Sequence, residues 1–169
     1  TAGIVIHAAH GEQDMRKLAL HRPQDAIICA CDGVNYLDSL KAAEEFFEAA
    51  NAALKVGGLL LFDISSQYKL ENILGCNTFA EDEQGGAYIW KNNYDPKSRL
   101  IEMELTFFER QGELYRRFTE RHIQRAHGVD ELLSALNRAG FDAEAYDFET
   151  TEPVKPDSER VQFWGRKRR

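Results

Sequence analysis

The chain has 169 residues, 43% hydrophobic and 29% charged, which suits one soluble domain with a real core and excludes a disordered chain. Its 21 basic and 28 acidic residues leave a net charge of −7, which argues against a nucleic-acid backbone as the main partner. No apolar run approaches the roughly 20 residues of a membrane span and no basic-then-apolar leader opens the sequence, so a cytoplasmic protein with no membrane partner is expected.

Ile4 to His10 holds a short β-branched run that reads as a first strand. Ala26 to Ala30 is apolar throughout after Pro23-Gln24-Asp25 and reads as a buried strand. Between Asp38 and Lys55 the apolar residues Leu40, Ala43, Phe47, Ala50 and Leu54 recur at three and four, the spacing of one helix face. Asp38 is the expected N-cap, and Gly57 is the expected left-handed stop before the strand Leu59 to Phe62. Strand, helix, Gly-Gly and strand make a βαβ unit with a right-handed crossover.

After Asp63 the pattern turns antiparallel. Ala87 to Tyr94, Leu100 to Arg110 and Leu114 to Arg125 read as three strands, with Ile101, Met103, Leu105 and Phe107 alternating with Glu102, Glu104 and Thr106. A two-residue turn at Gln111-Gly112 sets Arg110 opposite Glu113 and Glu102 opposite Arg121. Helical spacing returns over Val129 to Ala139, closed by Gly140. Strands near Phe141 to Phe148 and Arg160 to Arg166 complete the chain, whose last eleven residues hold five basic groups and one acid.

Cys29, Cys31 and Cys76 have no framework spacing; Cys29 and Cys31 would share one strand face as core residues, and no metal site is expected. Asp14 and Met15 follow the first strand, where Asp can accept from an exocyclic amine and Met can cover a ring, or where both are ordinary loop and core residues. Cys31 to Leu37 occupies the corresponding end of the second strand. Gly33 would allow close backbone approach there, and Asn35 and Tyr36 offer polar groups, either to a ligand or to the loop itself. Asp63 can hold a ligand amine or cap a turn. Arg117 and Arg121 can clamp an anionic substrate or stand on a solvated face. His122 and His127 have no third partner placed for a triad, and no nucleophile or phosphate-loop motif is present.

In their order, Gln13-Asp14-Met15-Arg16, Cys31-Asp32-Gly33-Val34-Asn35-Tyr36-Leu37, Leu54 to Asp63, the tract Tyr88 to Arg125 and Leu132 to Phe141 resemble class I S-adenosylmethionine-dependent methyltransferases acting on small molecules. The resemblance spans nearly the whole chain. It implies that Asp14 holds the adenine amine, that Met15 covers the ring, and that Cys31, Asp32 and Asn35 border the cofactor. It also implies that Tyr36 borders the methyl acceptor; Tyr36 is the catalytic candidate, and Asp63, Arg117 and Arg121 are the further candidate substrate-binding residues. The family's glycine-rich first loop and its ribose-binding acid have no counterpart, so the chain looks like the larger C-terminal part of such an enzyme, inactive alone.

The expected fold is α/β, a Rossmann-like, mostly parallel sheet with helices on its faces and an antiparallel β-meander. Residues 1–86 and 128–169 would form the core, with 87–127 as a substrate lid. The implied cofactor is S-adenosylmethionine and the implied partner a small-molecule acceptor, with a second copy or an N-terminal segment filling the gap in the sheet. The alternative is a non-catalytic α/β binding or assembly module.

Overall fold

A computed structural model describes residues 12–169. The strand expected over Ile4 to His10 lies outside them. In chain order the elements are β1 (Gln24–Cys29), α1 (Leu40–Ala53), β2 (Leu54–Ser65), β3 (Thr78–Glu83), β4 (Gly86–Asp95), β5 (Leu100–Gln111), β6 (Leu114–Arg125), α2 (Val129–Arg138), β7 (Phe141–Asp147) and β8 (Arg160–Lys167). Among the described residues no helix is long and apolar enough to cross a membrane.

The strands form two four-stranded sheets. In the first, ordered β1-β2-β8-β7, β1 runs parallel to β2 through the α1 crossover, and β8 pairs antiparallel with both β2 and β7. Leu60, Phe62, Ile64, Val161 and Phe163 are buried on one face beneath α1 and α2. Phe62 and Phe163 are register partners whose rings stack 4.7 Å apart. From α1 the chain buries Ala43, Phe46, Phe47 and Ala50, and each large side chain removed from water is worth about 1.5–3 kcal/mol. The opposite face carries Ile28, Leu61 and Trp164 as register neighbours, with Ile28 70% exposed.

Two local expectations for α1 are corrected. Ser39, not Asp38, is the N-cap, and its hydroxyl accepts from the Ala42 amide at 3.2 Å. The helix ends at Ala53, four residues before Gly57. Its C-terminal end is met by a cation rather than by a left-handed residue: Lys167 Nζ donates to the carbonyls of Asn51 at 2.6 Å and Leu54 at 2.9 Å. Gly57, at φ +78°, instead sits where pairing with β1 slips between Leu54 and Leu59.

The second sheet is an antiparallel meander ordered β3-β4-β5-β6. Its first strand, Thr78–Glu83, adds to the three expected. The β5–β6 register also differs from expectation by two residues, with Gln111 opposite Leu114, Glu104 opposite Arg121 and Thr106 opposite Thr119. The turn residues are Gly112 and Glu113, because Gly112 supplies the positive φ (+69°) that a two-residue hairpin needs at its first central position. Glu102 still reaches Arg121 diagonally, Oε1 to Nε at 2.7 Å. Ile101 and Met103 build a second core with Leu70, Leu74 and Ala126. Leu70 and Leu74 come from a π-helical turn, Lys69–Leu74, which follows β2 and is set by the Ser66 hydroxyl accepting from the Lys69 amide at 3.1 Å.

Candidate active site

The carboxyl ends of β1 and β2 lie side by side, and the loop after β1 is held from below by a carboxylate on β2. Asp63, 5% exposed, accepts from the amide of Cys31 at 2.9 Å and of Asp32 at 3.0 Å. Arg160 Nε donates to the same carboxylate at 2.7 Å, and the Arg160 guanidinium lies 4.4 Å over the Phe148 ring. Cys31 and Asp32 both take left-handed backbone, φ 60° and 51°, a conformation that costs an L-residue about 1–2 kcal/mol and that charge-assisted bonds can offset. Asp63 thus spends its carboxylate on the loop after β1 and on Arg160. Gly33 comes next, and a Cβ there would stand 2.7 Å from Cys29 Sγ.

A 3₁₀ turn over Gly33–Tyr36 then separates two neighbouring polar residues. Asn35 is fully buried. Its Nδ2 donates to the carbonyls of Ser65 and Arg125, both at 2.9 Å, and its Oδ1 accepts from the Ser65 amide at 3.0 Å. All three of these bonds go to backbone groups, so Asn35 ties β2 to β6. Asp32 is tied across the same gap, accepting from Gln124 Nε2 at 2.7 Å.

Tyr36 points the other way and is 48% exposed. Its hydroxyl lies 3.0 Å from His122 Nδ1 on β6, with the rings edge to face, and His122 Nε2 lies 3.4 Å from Glu120 Oε2. With the imidazole proton on Nε2, the phenol donates to Nδ1 and Nε2 donates to the carboxylate, giving an unbroken line of hydrogen bonds. The third partner that His122 lacked in sequence is thus Tyr36, 86 residues away. The two residues edge a cavity of about 320 Å³ between the sheets, walled by Leu74, Trp90, Met103 and Leu105 and by the polar groups of Lys69, Gln124 and Arg160. Hollows of about 360 and 500 Å³ at the far end of the second sheet, around Tyr88 and Phe108, have no histidine, lysine or arginine in their walls.

Arg117 and Arg121 do not join this site. Successive strand residues face opposite ways, so His122 and Gln124 share one face of β6 with the partners Met103 and Ile101, while Arg117 and Arg121 share the other with Thr119. Asp14 caps a 3₁₀ turn over Met15–Lys17 and binds its own neighbour: Arg16 meets its carboxylate at 2.7 Å, a bond that holds the Asp14 pKa down to about 2. Met15 is half-buried and packs on the main core. Cys31 is exposed instead of in the core, as is Cys76. His127, 1% exposed, donates from Nε2 to the Leu37 carbonyl at 2.9 Å, and burial lowers its pKa to about 4.

No family model matches the chain. A Bacillus subtilis (strain 168) protein named "Putative methyltransferase YqeM" is 35% identical over 159 residues, covering 92% of this chain and 64% of its own length. Among solved structures, an S-adenosylmethionine-dependent methyltransferase from Clostridium acetobutylicum ATCC 824 superposes with a TM-score of 0.87 at 32% identity, over 93% of this chain and 63% of that one. The sugar N-methyltransferase KedS8 from Streptoalloteichus sp ATCC 53650 shares the fold, with a TM-score of 0.72 at 20% identity, over 93% of this chain and 61% of that one. The chain is homologous to S-adenosylmethionine-dependent methyltransferases and has their fold over the part it spans, a little under two-thirds of the length of these relatives.

Proposed function

We propose that this chain, as a homologue of S-adenosylmethionine-dependent methyltransferases, supplies the acceptor side of a methyl-transfer site for a small protic molecule. The observation that carries the reading is the Tyr36–His122–Glu120 line at the mouth of the cavity between the sheets. S-adenosylmethionine, when bound, supplies an electrophilic methyl group. At the carboxyl end of β1 the residues present that fit such a group are Cys31, exposed on a rigidly held turn, and Asp32 beside it, while Asp14 would have to exchange its bond to Arg16 for a ligand amine. The second sheet roofs the acceptor, and sugar amines, the acceptors in the name of one fold neighbour, are within the acceptor class.

The protein's own part is orientation and proton removal. An acceptor hydroxyl or ammonium at the Tyr36 oxygen gives up its proton to the phenol as the phenol's own proton passes to His122 Nδ1, and Glu120 stabilises the resulting imidazolium. A positioned proton acceptor of this kind is worth about 10²–10⁴ in rate. In the intact protein, Tyr36→Phe is expected to lower kcat by about that factor while the S-adenosylmethionine dissociation constant, read by calorimetry, stays unchanged. An unchanged kcat would remove Tyr36 from catalysis, and failure of the wild type to bind S-adenosylmethionine would remove the reaction class.

A further inference from the structure

The cavity beside Tyr36 has a second polar feature that proton removal does not use. Lys69 stands on its wall from the first residue of the π-helical turn after β2. Among the described residues no carboxylate oxygen lies within 4.0 Å of its ammonium. Of the other charges in the wall, Arg160 is paired with Asp63, while Asp32 accepts from the neutral Gln124 amide and keeps its negative charge. One side of the cavity is apolar, with Trp90, Met103 and Leu105 on one face of the second sheet and Leu74 beside them, and Ser65 and Gln124 add polar groups. An ammonium without a carboxylate partner beside an apolar wall calls for a negatively charged group carried on an apolar body.

We propose that the ligand of this cavity is a small organic acid whose carboxylate or phosphate is held by Lys69, with its apolar or aromatic body on Trp90 and Met103. The proposal rests on the acceptor site described above and narrows it from any protic small molecule to an anionic one. Lys69 acts as a specificity residue here: it selects the substrate and takes no part in proton removal. The cavity of about 320 Å³ admits a single-ring acid.

The test is calorimetric titration of the intact protein with two probes of one shape, 4-hydroxyphenylacetate and its uncharged alcohol, 2-(4-hydroxyphenyl)ethanol. The wild type is expected to bind the acid about tenfold or more tightly than the alcohol, with the preference falling as salt is raised. Lys69→Met should erase the preference without weakening the alcohol, and Lys69→Arg should keep it. Equal binding of the two probes, no saturable binding of either, or a preference that survives Lys69→Met would overturn the proposal. Titration with S-adenosylmethionine in the same preparation separates the two readings: loss of cofactor binding with the acid preference intact overturns the methyltransferase reading and leaves the anion site standing.

Discussion

At the scale of single residues, burial decides which polar groups are free to work. His127 has traded water for one bond to the Leu37 carbonyl, and its Nδ1 has no partner. Its pKa in the folded state, about 4, lies below the 6.5 of an exposed imidazole, because burial penalises the charged ring. Below about pH 6.5 the unfolded chain therefore takes up a proton that the folded chain refuses, and stability falls as pH drops. Relative to His127→Gln, which keeps a donor for Leu37, the wild type should lose about 3 kcal/mol between about pH 6.5 and about pH 4 and nothing above about pH 7. Urea unfolding across that range measures it. A difference that stays constant with pH would show that His127 takes up its proton at the same pH in the fold as in the unfolded chain.

At the scale of elements, the site depends on how two sheets are joined, and the joint is Asn35. Asn35→Ala strands the Ser65 amide and the carbonyls of Ser65 and Arg125 together, so a loss of about 2–4 kcal/mol is expected in urea unfolding. A loss below about 1 kcal/mol would mean that water or another group replaces the amide. The elements themselves were largely legible, since apolar runs and alternation mark β1, β2 and β4 to β8 and the 3.6 spacing marks α1 and α2. The acidic run in β3 hid an edge strand. The β5–β6 register was ambiguous because a two-residue shift keeps every side chain on its face and brings Arg121 near Glu102 either way. That same parity carries the signal for His122: even positions on β6 must share the apolar face of Met103 and Leu105, which excludes Arg117 and Arg121. What pattern could not reveal is where Asp63 and Asn35 spend their hydrogen bonds, because their partners are backbone groups about 30 residues and more away.

At the scale of the whole molecule, the first sheet is covered on one face by α1 and α2 and shows Ile28, Leu61 and Trp164 on the other, with Phe148 beside them around a hollow of about 290 Å³. Among the described residues no strand pairs with the outer edge of β1. Such an edge beside an apolar face favours association. Residues 1–169 purified alone are expected to sediment as a concentration-dependent mixture larger than a monomer, and Ile28→Glu to shift it toward monomer with an unchanged far-ultraviolet spectrum. A single monomeric species of the wild-type chain at all concentrations would refute this.

The carboxylate of Asp63 has an effect that reaches past stability. By gripping two successive amides it removes the freedom of the loop after β1 before anything docks on it. The conformational entropy of Cys31 and Asp32 is surrendered when the chain folds. A molecule arriving at the end of β1 then meets a finished surface, and more of its contact energy is left to appear as affinity.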